Sequence, residues 1–90
     1  MEPVWLVEAT YAPDAAETRI PFRPRHLARA AELKAAGTIV EIGAFTDASS
    51  AIVIVRAESE AAALDIVRAD VYVTNGIWVE LRARRFNRLE

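Results

Sequence analysis

Apolar residues fill the successive positions Val4-Trp5-Leu6-Val7 and then alternate through Ala9 and Tyr11. That pattern predicts a strand over residues 4–11 whose two faces are both covered at its start. Trp5, Val7, Ala9 and Tyr11 fall on one face, Val4 and Leu6 on the other. Residues 12–19 lose the alternation and carry the turn signal Pro13-Asp14, which reads as a polar loop. The period then changes. Phe22, His26, Ala30 and Leu33 recur on one helical stripe, with Leu27 and Ala31 at its edge and Arg25, Arg29 and Glu32 opposite. A helix over 22–36 follows, with Pro21 and Pro24 at its start, where a missing N–H costs little, and Gly37 at its stop.

Two further strands are predicted over 38–45 and 51–57. The short turn Thr46-Asp47-Ala48-Ser49 makes them an antiparallel hairpin. Ser59 suits the N-cap of a second helix over 60–68, with Glu60 placed to favour its dipole. Ala63, Ile66 and Val67 form its inner stripe, and the same spacing continued puts Asp70 on that stripe. Asn75-Gly76 marks a turn. A last strand over 77–86 places Ile77, Val79, Leu81 and Ala83 on one face and Trp78, Glu80, Arg82, Arg84 and Phe86 on the other.

The order is β-α-β-β-α-β, the ferredoxin-like arrangement: an α+β fold with a four-stranded antiparallel sheet and two helices on one face. Two helices cover one side of the sheet only. The apolar residues on the other side predict a partner sheet, and hence a homodimer joined through that face.

Composition sharpens this picture in a few places. Ninety residues make a single domain, 1–90, and 53% hydrophobic content is high for a chain that buries roughly 60% of its unfolded surface. The net charge of −2 argues against a nucleic-acid partner. The basic run Arg82-Arg84-Arg85-Arg88 reads as the decoration of a strand end. There is no cysteine and one histidine, so neither thiol chemistry nor a metal site within one chain is expected. No apolar run approaches a membrane span, and the start of the chain lacks a signal-peptide pattern. The expected setting is cytoplasmic, with no membrane partner and no cofactor.

The candidate chemistry lies on the two helical stripes. His26 points where the apolar residues point. On position alone that suits either a core histidine or a proton-transfer group. Asp70 suits either a solvated helix end or an inward-facing acid. The segments around them carry a resemblance. Residues 19–37, RIPFRPRHLARAAELKAAG, centre on Arg23-Pro24-x-His26-Leu27, and residues 60–76 read EAAALDIVRADVYVTNG. With their order and spacing, the chain resembles the YciI-like (YCII-related) family over nearly its whole length.

The resemblance implies a dimeric α+β barrel fold and a histidine and an aspartate suspected of enzymatic work, which by position are His26 and Asp70. The family includes a member resembling a chlorinated-aromatic dehydrochlorinase and shares its fold with muconolactone isomerases. Two departures stand out. The family's Asp-Pro-aromatic is Asp70-Val71-Tyr72 here, and where it often has a Gly-Pro at the end of the second strand and a longer loop after it, this chain has Gly43-Ala44-Phe45 and a short turn.

An aspartate beside a histidine can hold one imidazole nitrogen and leave the other free to move a proton. Ser49, Ser50 and Ser59 read as turn and cap residues, so no nucleophile accompanies the pair. General acid/base chemistry of lyase or isomerase type on a small organic or aromatic acid fits best. Arg23 or Arg25 would pair the substrate carboxylate, and Tyr11, Trp5 and Tyr72 would line an apolar pocket. The alternative is a non-catalytic small-ligand-binding or dimerisation module in which the His26–Asp70 pair is structural.

Overall fold

The computed structural model describes residues 2–89. Strands β1 (Glu2–Tyr11), β2 (Ile39–Ala44), β3 (Ser50–Val55) and β4 (Trp78–Arg88) form one antiparallel sheet in the order β2-β3-β1-β4. Helices α2 (Arg23–Ala35) and α3 (Glu60–Arg68) are the crossovers. Two one-turn helices, α1 (Ala15–Thr18) and α4 (Val71–Thr74), precede α2 and follow α3. This is the expected ferredoxin-like α+β fold, with β2 and β3 paired as the predicted hairpin. Among the described residues no helix is long and apolar enough to cross a membrane.

The local signals act as read, with refinements. Pro24 sits in the first turn of α2. Gly37, at φ 81°, closes that helix: its N–H donates to the Lys34 carbonyl, and the Thr38 N–H donates to the Leu33 carbonyl. This Schellman pair satisfies carbonyls that the helix leaves open. Gly76, at φ 72°, repeats the device after α4, with Gly76 N–H donating to Val73 and Ile77 N–H to Tyr72. Asn75-Gly76 is therefore a helix stop rather than an isolated turn. Residues 15–18, read as loop, form α1, a single turn too short to show helical periodicity.

The core lies between the sheet and the helices. Val7, Val53 and Val55 from the central strands are fully or almost fully buried against Ala63 and Val67 of α3, with Tyr72, Ile77 and Trp78 closing one end. Each buried valine contributes about 1.5–3 kcal/mol. Trp78 corrects the alternation expected in the last strand. Thr10 pairs with Glu80 but Tyr11 pairs with Trp78, so Val79 is an extra residue, and the bulge reverses the side-chain phase. Trp78 turns inward, 3% exposed, while Val79 is left 59% exposed.

The opposite face of the sheet carries no helix. Val4, Leu6, Ile52, Ile54 and Phe86 lie there with Glu8, Arg82 and Arg84, as the pairings Val4–Phe86, Leu6–Ile54, Leu6–Arg84 and Glu8–Arg82 place them.

Candidate functional site

The C-terminal end of β1 and the N-terminal end of α2 enclose a cavity of about 240 Å³. Its wall includes Tyr11, Arg19, Arg23, His26, Tyr72 and Trp78. The stripe that carries His26 extends backwards past the start of α2. Arg23 donates its backbone N–H to the Arg19 carbonyl, so Arg19, Arg23 and His26 follow one another at helical spacing along the cavity.

His26 and Asp70 come together from 44 residues apart in the chain. The Nδ1 of His26 lies 2.9 Å from Asp70 Oδ1 and 3.0 Å from Oδ2. Both side chains are buried, with His26 7% and Asp70 3% exposed. A carboxylate accepts, so Nδ1 donates, and Nε2 is the nitrogen left to exchange a proton. Nε2 has no partner among the described residues.

Asp70 reaches this position by a different route from the helical spacing that first marked it. Its ψ of 141° is extended, so it lies outside α3 and acts as the N-cap of α4. The Tyr72 N–H donates to Asp70 Oδ1 at 2.8 Å. One carboxylate thus starts the helix that carries Tyr72 and fixes the tautomer of His26. Val71 occupies the first helical position without needing proline, because the Asp70 cap already defines the start.

Tyr72 then lies flat on the imidazole, ring centroids 3.8 Å apart and planes 7° from parallel. Trp78 meets both rings edge-on, at 5.1 Å from His26 and 5.4 Å from Tyr72. The aromatic walls leave the imidazole little freedom to rotate. The Trp78 Nε1–H is buried without a partner among the described residues. Burial pushes the Tyr72 phenol above its usual range, helped by nearby Tyr11 and Asp70, while Arg19 and Arg23 oppose the shift.

Of the residues marked from the sequence, His26, Asp70, Arg23, Tyr11 and Tyr72 gather at this end of the molecule. Trp5 and Arg25 do not line the cavity. Trp5 sits six residues from Tyr11, roughly 20 Å away along a strand. Its Nε1–H donates to the Ala57 carbonyl, and Arg85 covers its ring. Arg25 is exposed, its guanidinium 5.5 Å from the centre of the Phe22 ring. At 100° per residue Arg23 and Arg25 diverge by about 200°, so only one can face the cavity.

Three participants lay outside the sequence expectation. Trp78 enters through the bulge at Val79. Arg19 enters because α1 and the turn after it continue the α2 stripe. Arg29, assigned to the outer face, folds back over α3. Its Nη2 donates to the Ile66 carbonyl at 2.7 Å, and its Nη1 lies 3.6 Å from Asp70 Oδ2. Its place three residues after His26 is the one sequence signal that could have suggested it.

The YCII-related domain matches residues 4–87. The chain belongs to that family. None of the curated proteins compared matches this YCII-related chain. Among solved structures it is similar to 5-chloro-2-hydroxyhydroquinone dehydrochlorinase (TftG) from Burkholderia phenoliruptrix AC1100, in complex with 2,5-dihydroxybenzoquinone. That match has a TM-score of 0.79 and 22% identity, and it covers 93% of each chain. It is also similar to Rv0793 from Mycobacterium tuberculosis, at a TM-score of 0.51 and 18% identity over 99% of this chain and 97% of that one. At such identities the likeness is one of fold. Among the described residues of the YCII-related chain no group of three or more His, Cys, Asp and Glu side chains is placed to hold a metal ion.

Proposed function

We propose that this YCII-related protein is an enzyme of lyase or isomerase type that moves a proton on a small organic or aromatic substrate, with His26 as the acid/base group. The observation that carries the reading is His26 itself. Its Nδ1 is committed to a buried Asp70, its Nε2 has no partner among the described residues, and the ring forms part of a cavity wall. Asp70 orients the imidazole and stabilises the imidazolium that forms when Nε2 takes a proton. Tyr72 and Trp78 hold the ring in place, and their faces suit an unsaturated ring more than a flexible chain. The fold likeness to a dehydrochlorinase crystallised with a dihydroxybenzoquinone supports a cyclic, oxygenated substrate.

A second copy of the chain is part of this proposal. The unhelixed face presents Leu6, Ile52 and Ile54 side by side, and pairing two such faces removes them from water. Light scattering at micromolar concentration should give twice the 9.9 kDa chain mass. A monomer at every concentration reached removes the partner sheet. The cytoplasm is the proposed setting.

One observation favours a non-catalytic binding or dimerisation module instead. Asp70 is already occupied as the α4 cap, and together with Arg29 it ties α2, α3 and α4. The deciding experiment screens hydroxyquinones, lactones and small aromatic acids for thermal stabilisation, then for turnover, in wild type and His26→Gln. Loss of roughly 10²–10⁴-fold in turnover with the fold retained is expected of a positioned acid/base. Unchanged binding of every ligand found, with only a lower melting temperature, establishes the structural module.

A further inference from the structure

We propose that Arg19 and Arg23 form an anion clamp at the cavity, and that its ligand is a single planar ring bearing one anionic oxygen group, a carboxylate or a phenolate. The inference rests on the reading of this cavity as the ligand site and adds the charge and size of what it takes.

The first observation is the state of the two guanidinium groups. Most cations of the chain are engaged elsewhere. Arg29, Lys34, Arg56, Arg68, Arg82 and Arg88 lie against carboxylates, and Arg25 and Arg85 lie over aromatic rings. Arg19 and Arg23 both line the cavity, and neither has a carboxylate partner among the described residues. Two unpaired guanidinium groups one helical turn apart repel each other, and an anion between them relieves that repulsion. Their planar forks suit a carboxylate or phenolate oxygen better than a bulky, strongly hydrated anion.

The second observation is what else reaches the same space. Tyr11 and Tyr72 line the cavity, and neither hydroxyl has a hydrogen-bond partner among the described residues. Arg19 and Arg23 are close enough to Tyr72 to act on its phenol electrostatically. Two hydroxyl donors beside two cations make a pocket rich in donors. No carboxylate lines the cavity among the described residues, and Asp70, beside His26, is turned into its contacts with His26 and Tyr72. The remaining wall is apolar: Ala30, Ile42, Ala44 and Ala51. A volume of about 240 Å³ falls below the roughly 300–1,000 Å³ of pockets for drug-sized ligands, which suits an occupant of one ring.

The experiment titrates the protein with benzoate, with its neutral isostere benzamide, and with 4-nitrophenolate, by calorimetry at low and high salt. Benzoate or the phenolate should bind at least tenfold more tightly than benzamide and weaken with salt. Whichever anion wins identifies the oxygen group. Arg19→Gln and Arg23→Gln should each cost about tenfold in anion affinity, with benzamide unaffected. Circular dichroism checks the fold of both variants; Arg23 is exposed, so Arg23→Gln carries the test should Arg19→Gln misfold. Both anions binding no more tightly than benzamide, salt-independent binding, no binding of either anion at millimolar concentration, or unchanged anion affinity in Arg23→Gln overturns the clamp.

His26→Gln separates this inference from the acid/base reading. Anions that bind through the arginines, with no turnover found for any substrate, leave the clamp standing and remove the chemistry. Turnover that depends on His26 but not on ligand charge leaves the chemistry and removes the clamp.

Discussion

The ring of Tyr72 lies parallel to the imidazole of His26 at 3.8 Å, and the carboxylate of Asp70 holds both: the imidazole through Nδ1, and the tyrosine through its backbone N–H. Stacking and capping are thus one arrangement. Anything that shifts the start of α4 moves the tyrosine and the histidine together.

The phenol of Tyr72 gives this arrangement a measurable response to alkali. Burial, then Tyr11, raise its folded pKa above the unfolded value of about 10, and Asp70 adds to the rise. The unfolded chain therefore releases the proton first. The contribution to stability is complete below about pH 10 and is lost as pH rises through the folded pKa. Tyr72→Phe keeps the ring and removes the proton. Its melting temperature should fall less steeply than that of wild type above pH 10, as thermal scans across that range will read. Parallel curves contradict the assignment.

Asp70→Asn and Asp70→Ala should differ in a defined order. Asparagine caps a helix about as well as aspartate, but it cannot accept from His26, Arg29 and Tyr72 with the same charge. The buried donors left without a full partner make the loss about 1–3 kcal/mol. Alanine also removes the cap, for about 1 kcal/mol more. Urea unfolding resolves the two steps. Equal stability of the two variants removes the capping role.

Arg29→Met preserves much of the aliphatic stem and removes the guanidinium. The Ile66 carbonyl, in the last turn of α3, then loses its donor. The expected cost is about 1.5–3 kcal/mol or less, since the arginine is partly exposed. Asp70 also loses the guanidinium that faces its Oδ2. Imidazole ¹⁵N shifts of His26 should change as the carboxylate that accepts from Nδ1 loses this neighbour, a readout that packing alone does not move. Unchanged shifts confine Arg29 to holding α3.

Val71→Pro tests the departure from the family's Asp-Pro-aromatic pattern. Val71 is the first residue of α4, and Asp70 already has the extended backbone that a following proline demands. Reduced freedom of the unfolded chain should stabilise by about 0.4–1 kcal/mol, offset by the packing of the half-buried valine. Chemical denaturation gives the sign. A loss beyond 1 kcal/mol shows that the Val71 side chain matters more than the turn.

What the sequence determined by itself was everything that depends on local periodicity. The alternation in β1, the stripe through Phe22, His26, Ala30 and Leu33, the Ser59 cap and the Gly37 stop are short-range signals. They sufficed for the element order, and with it the ferredoxin-like fold and the inward direction of His26. Tertiary structure alone decided the rest, for three physical reasons. A single extra residue in a strand reverses the phase of what lies beyond it, so Trp78 faces the cavity only because β4 bulges against Thr10 and Tyr11. A long, flexible side chain is not bound to the face of its own Cα, so Arg29 bends from an outer position to the end of a neighbouring helix. And a strand separates its own residues by length, so Trp5 and Tyr11, which share a face and a spacing, lie at opposite ends of the core.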